Sequence, residues 1–143
     1  MTAPLSVTPD QAALVRASYA EIARLPEDYA ARFYHRLQER HPFTRALFPD
    51  DMTHQISVFR QTVDSLVADL DDLAGARAGL SQLAIRHVGY GVRPHHYAYV
   101  GAVLIDTFAE MAGPRFDAAT RAAWEALYGA IAQVMIAAVT RRN

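Results

Sequence analysis

Two residue types are missing from this chain of 143 residues: cysteine and lysine. Without cysteine there is no disulfide framework, no thiolate metal site and no cysteine nucleophile. The absence fits a reducing compartment, and a cytoplasmic location is the expectation. All 14 basic residues are arginine, which together with the abundant alanine reads as codon bias. Charge of one sign is scarce as well: the formal net charge is −1, so neither nucleic acid nor a membrane surface is expected as a partner. No basic-then-apolar leader opens the chain, and no apolar run of membrane-spanning length stands out. Period-2 alternation, Asn-Gly or Asp-Gly turns, internal repeats and low-complexity linkers are also absent.

What is present reads as helix. The length suits one domain, residues 1–143, large enough to bury about 70% of its unfolded surface. Thr8-Pro9-Asp10-Gln11 is a capping box with proline at the first helical position. Leu14, Val15, Ser18 and Ile22 carry that first helix inward, and a second is expected from Pro26, with Ala30, Phe33, Tyr34 and Leu37 on its buried face. His41-Pro42 breaks it, and a short piece from Phe43 to Phe48 follows. Asp50-Asp51 can cap a helix to about Leu73, whose inward stripe has polar Gln55 at its head, then Ile56, Phe59, Val63, Leu66, Val67 and Leu70. A short helix that carries His87, flanked by Gly75 and Gly79, a long one from Pro94 to about Met111 and a last one from about Asp117 to Thr140 complete an all-α chain of about seven helices.

Leu80, Leu83, Ala84 and His87 fall on one helical face, so His87 lies on a buried stripe. Gly89 and Gly91 can take the positive φ that ends a helix, and Arg93-Pro94 restarts one. Tyr97 then opens an apolar stripe with Val100, Gly101, Leu104 and Phe108. An inward histidine before a rigid corner is either a satisfied core residue or a single axial ligand to iron. The six histidines form no His-x-x-x-His or Glu-x-x-His pair, which argues against zinc or di-iron. The segment from Gln55 to His87 has room for one helix, a turn and a helix running back, able to sandwich a flat cofactor. Tyr34, Phe48, Gln55 and Phe59 would line its other wall.

At these residues the chain resembles the bacterial single-domain globins of the flavohaemoglobin lineage, from about Asp10 to Met135. The resemblance is carried by His87-Val-Gly-Tyr-Gly-Val-Arg-Pro-His-His-Tyr97-Ala-Tyr-Val-Gly101, and by Phe33-Tyr34, Leu47-Phe48, Gln55, Trp124 and Tyr128-Gly129 in the family's order. It implies a globin fold, helices three over three around haem b. It makes His87 the proximal iron ligand, with Tyr34 and Gln55 as the distal pair. Phe48 would pack on the haem edge and Phe59 over the iron, where the family more often has leucine. Tyr97 and Val92 would lie on the cofactor side, and Arg86 would pair with a propionate. His54 precedes Gln55, so a shift of one residue would put it over the iron. The spacing to His87 and the apolar stripe prefer Gln55, and His54 is kept as an alternative distal ligand or as a gate to the pocket. The family's carboxylate on the last helix would fall at or next to Val139, within Ala137-Ala138-Val139, where there is none.

The resemblance implies reversible binding of dioxygen, carbon monoxide or nitric oxide by a monomer or homodimer. Two other classes remain: a nitric oxide dioxygenase served by an external reductase, and a gas or redox sensor. Catalysis is therefore left open, and turnover is expected to need an outside electron donor. With no Cys-x-x-Cys-His, the haem would be held non-covalently.

Overall fold

A computed structural model describes residues 6–140. Six α-helices follow in order: α1 Pro9–Ala23, α2 Tyr29–Arg40, α3 Thr53–Ala68, α4 Arg77–Gly89, α5 His96–Ala112 and α6 Ala118–Thr140. Short 3₁₀ segments at Pro42–Leu47, Leu70–Ala76 and Gly113–Arg115 join α2 to α3, α3 to α4 and α5 to α6. The Pro42–Leu47 segment is the seventh helical piece expected, and there is no strand among the described residues.

Local chemistry sets most of the ends. The Thr8 hydroxyl accepts from Gln11 N at 3.1 Å while the Gln11 side chain accepts from Thr8 N at 2.9 Å, closing the capping box. Helix α2 starts after Asp28 rather than at Pro26, because the Asp28 carboxylate caps Ala30 N at 2.9 Å. Asp51 accepts from Thr53 N at 3.0 Å ahead of α3. That helix stops at Ala68, short of Leu73, and the following 3₁₀ segment kinks at Asp72. Helix α5 begins at His96, two residues after Pro94.

The α4–α5 corner is a Schellman turn. Val92 N donates to His87 O and Gly91 N to Val88 O, both at 3.0 Å, with Gly91 at φ +93°. Gly89, the other candidate for positive φ, stays inside the helix.

Packing follows the predicted faces. Val15, Ile22, Tyr29, Phe33, Leu37 and Phe108 are fully buried, each worth about 1.5–3 kcal/mol for the larger aliphatic and aromatic side chains. Helix α6 packs on α1, α4 and α5, while α2 packs on α3 and α5. Trp124 Nε1 donates to Ser18 Oγ at 2.8 Å across the α1–α6 contact. One expectation is corrected here: α6, at 23 residues, is long and apolar enough to cross a membrane by length and composition alone. In the fold it is a core helix whose Thr120, Ala123, Trp124, Leu127 and Met135 are buried by its neighbours.

Helices α5 and α6 meet closely at Gly101. A Cβ there would lie 2.4 Å from the Tyr128 ring, and the Tyr128 hydroxyl donates to Tyr97 O at 2.6 Å. Gly101→Ala is therefore expected to displace Tyr128 and to destabilise the fold by about 1–3 kcal/mol. Urea unfolding checks this as a lowered midpoint at unchanged slope.

Candidate functional site

Helix α4 rests on α6, and α3 rests on α2, so α3 and α4 are not principal packing partners of each other. Both line a cavity of about 580 Å³ that also takes walls from α2, α5, α6 and the Pro42–Leu47 segment. Its surface is mostly apolar. Tyr34, Phe48, Gln55, Phe59, Arg86, His87, Val92 and Tyr97 all line it, bringing together eight of the nine residues singled out in the sequence.

The ninth, His54, stands outside the lining. It is exposed and is not among the lining residues, whereas Gln55 is. The reason is helical phase: Val63 and Val67 turn inward on α3, and Phe59 and Gln55 continue that stripe toward its N-terminus.

The α2–α3 wall is aromatic around one polar pair. Tyr34 is 5% exposed, with Phe48 at 5.3 Å and Phe59 at 5.5 Å between ring centroids, both edge-on. Phe33 stacks on Phe59 at 4.8 Å and braces both. Gln55 Nε2 donates to the Tyr34 hydroxyl at 2.9 Å. The amide thus occupies an acceptor position on the phenol oxygen and leaves the phenol hydrogen available to a third group. Burial pushes the Tyr34 phenol up to about 12, only partly opposed by the Gln55 bond.

On α4, half-buried His87 sits one turn past Leu83, and its Nδ1 lies 2.7 Å from the Leu83 carbonyl. A carbonyl only accepts, so Nδ1 carries the hydrogen and Nε2 keeps its lone pair. Burial, then the neighbouring Arg86 charge, hold the imidazole below its usual pKa, against the opposing effect of the Leu83 bond. The ring is therefore a neutral Nε2 donor near neutral pH. Among the described hydrogen bonds Nε2 has no protein partner. Arg86 is exposed at the rim, and Tyr97 and Val92 line the wall after the glycine corner.

Sequence reasoning missed part of the lining. Leu127, Tyr128, Ile131 and Met135 share one apolar face of α6 and line the cavity, and periodicity does not tell a cavity wall from a packed core. His96 also lines the cavity, its Nδ1 accepting from Arg93 N at 3.0 Å. Phe43 lies beside it, ring centroids 5.2 Å apart, a contact that no local sequence signal carries. No group of three or more metal-binding side chains occurs among the described residues.

Comparison with known proteins places this geometry. The globin family profile matches residues 31–135. The flavohemoprotein of Vibrio cholerae is 30% identical over 110 residues, 73% of this chain and 27% of that protein. The flavohemoprotein of Bordetella pertussis is 30% identical over 135 residues, 91% of this chain and 33% of that protein. The chain thus spans about a third or less of the length of these curated relatives. Among solved structures, a bacterial globin from Campylobacter jejuni superimposes with a TM-score of 0.81 at 25% identity, covering 94% of this chain and 98% of that one. An engineered carbene transferase, described as a candidate nitric oxide dioxygenase from Rhodothermus marinus, gives 0.82 at 25% identity over 96% and 98%. These matches show the globin fold that the resemblance implies.

The raised phenol at Tyr34 carries a pH signature. An unfolded tyrosine ionises near 10, whereas folded Tyr34 holds its proton to about 12. The associated stability is full below pH 10 and is lost as pH rises to about 12. Tyr34→Phe is expected to flatten that stretch of the stability curve, measured by urea unfolding at stepped pH. Tyr29, also raised to about 12, and Tyr19, Tyr97 and Tyr128, raised by burial as well, leave a residual slope.

Proposed function

The chain belongs to the globin family, and from that membership we propose that it holds haem b in this cavity and binds dioxygen there reversibly. The single observation that carries the reading is the convergence of His87 and the Tyr34–Gln55 pair on one apolar cavity.

The donor set fits the group. His87 offers a neutral Nε2 lone pair, with its tautomer held by the Leu83 carbonyl, as an axial ligand requires. The cavity volume is within the range of small-molecule and cofactor sites. Phe48, Val92 and Tyr97 would hold the flat faces and edge, and Arg86 at the rim would pair with a carboxylate of the macrocycle. When bound, haem supplies an iron centre that takes a diatomic gas.

The rest is the work of this chain's residues. Gln55 fixes the Tyr34 phenol, and Phe33, Phe48 and Phe59 hold its ring in place. The phenol hydrogen is then free to be donated to the ligand, in apolar surroundings where such a bond is strong. Dioxygen develops partial negative charge and gains from that donor; carbon monoxide gains less. The aromatic walls exclude water and narrow the space beside the ligand.

A second reading, nitric oxide dioxygenase served by an external reductase, is favoured by the Tyr34–Gln55 pair and by the Rhodothermus marinus neighbour. Against it, the His87 Nδ1 hydrogen goes to a backbone carbonyl, a weaker partner than the carboxylate that the flavohaemoglobin pattern would place near Val139. Sustained nitric oxide consumption with an added flavin reductase would favour the dioxygenase.

Absorption spectra of the purified protein in ferric, ferrous, oxygenated and carbonylated forms test the reading. His87→Ala is expected to lose most of its haem, and retention of the same five-coordinate ferrous spectrum would remove His87 as ligand. Tyr34→Phe separates the distal role. A hydrogen bond to a partly charged acceptor is worth about 1.5–3 kcal/mol, so oxygen release should speed about 10- to 100-fold. Carbon monoxide release should barely change, and an unchanged oxygen off-rate would exclude Tyr34.

A further inference from the structure

A second polar cluster lies beyond the Tyr34–Gln55 pair, and ligand binding makes no use of it. The Tyr19 hydroxyl donates to the Asp64 carboxylate, and the Tyr29 hydroxyl lies 2.7 Å from the Tyr19 oxygen. The order of donation is therefore Tyr29 to Tyr19 to Asp64. Both tyrosine rings are buried, whereas Asp64 is exposed on α3. The nearby Arg60 guanidinium lies over Tyr29 at 5.0 Å but gives its N–H groups to Asp28 at 2.9 Å and to Ala23 O at 2.7 Å. On the inner side, the Tyr19 ring centroid is 6.2 Å from that of Trp124. Trp124 is the sole tryptophan of the chain, and it lines the cavity. Aromatic rings thus run from the cavity to a carboxylate at the surface.

That carboxylate sets Tyr19 apart. A phenol in apolar surroundings gives up an electron readily only if its proton can leave at the same time. Tyr34 has Gln55 as its partner, an amide that donates to it, whereas Tyr19 already donates to a base.

We propose that Trp124, Tyr19 and Asp64 form a one-electron relay. It would let hydrogen peroxide reduced in the cavity oxidise small hydrogen-atom donors, such as phenols, at the surface. The proposal rests on the haem reading of the cavity. In each transfer an electron leaves Tyr19 for the cavity by way of the Trp124 indole, and the phenol proton moves to Asp64. The resulting neutral tyrosyl oxygen keeps the hydrogen bond from Tyr29. A donor at the exposed Asp64 then returns an electron to Tyr19 while Asp64 gives the proton back to the phenol, and the donor's own proton passes to water. Two such transfers supply the two electrons and two protons that convert one peroxide to two waters, leaving two oxidised donors.

The test is rapid-freeze electron paramagnetic resonance of ferric holoprotein mixed with hydrogen peroxide. A tyrosyl signal is expected in the wild type, altered by ring-deuterated tyrosine. It should be lost in Tyr19→Phe, and its yield should fall in Trp124→Phe and in Asp64→Asn. Asp64 is exposed, so Asp64→Asn decides the matter if Tyr19→Phe fails to fold. Oxygen affinity should be unchanged in Tyr19→Phe, while steady-state oxidation of a phenol by peroxide falls. The same tyrosyl signal in wild type and Tyr19→Phe, or a full yield in Asp64→Asn, overturns the relay. So does a haem signal that responds to peroxide with no tyrosyl radical formed. A protein with no haem spectrum before mixing overturns the reading of the cavity, and the relay with it.

Discussion

Helix α4 is seated on α6 rather than on α3, and the site depends on that choice of partner. Two amphipathic helices that packed against each other would bury their stripes and leave no room between them. Here the stripes of α3 and α4 turn toward a shared cavity, with α6 forming part of its wall. The close approach of α6 to α5 needs Gly101, because any side chain there would strike Tyr128. Tyr128 in turn holds the Tyr97 carbonyl just beyond the α4–α5 corner. The start of α5, just after the corner that follows His87, is thus tied to α6.

In such a cavity polar groups are few, and Tyr34 and His87 each hold one defined partner. An unsatisfied buried donor or acceptor costs about 1–3 kcal/mol, so these bonds fix geometry as well as energy. Gln55 orients the Tyr34 phenol, and the Leu83 carbonyl fixes the His87 tautomer. The Tyr19 cluster obeys the same rule with a different outcome. A phenol paired with an amide is a fixed donor, and a phenol paired with a carboxylate is a group that can release its proton.

The ionic contacts between α2 and α5 contribute little by comparison. Arg32 and Arg36 reach Glu110, and Arg40 reaches Asp106, but these side chains are partly exposed and such pairs are worth about 0–1 kcal/mol. The apolar faces of the two helices supply the bulk of the stabilisation.

Much of this was legible in the residues. The capping box at Thr8, the break at His41-Pro42 and the end of α4 before Gly91 are local events, fixed by neighbouring backbone and side-chain groups. Helical period placed Tyr34, Gln55 and His87 on inward faces, because side-chain direction repeats with the backbone. Period does not say what covers a face. Only the tertiary structure decided that buried Leu127 and Met135 also line a cavity, and that His54 stays outside. It also set the premature end of α3 at Ala68 and the meeting of Tyr19 with Asp64, forty-five positions away in the chain. These depend on which helices become neighbours. That is a property of all the apolar surfaces packing at once, and no single segment contains it.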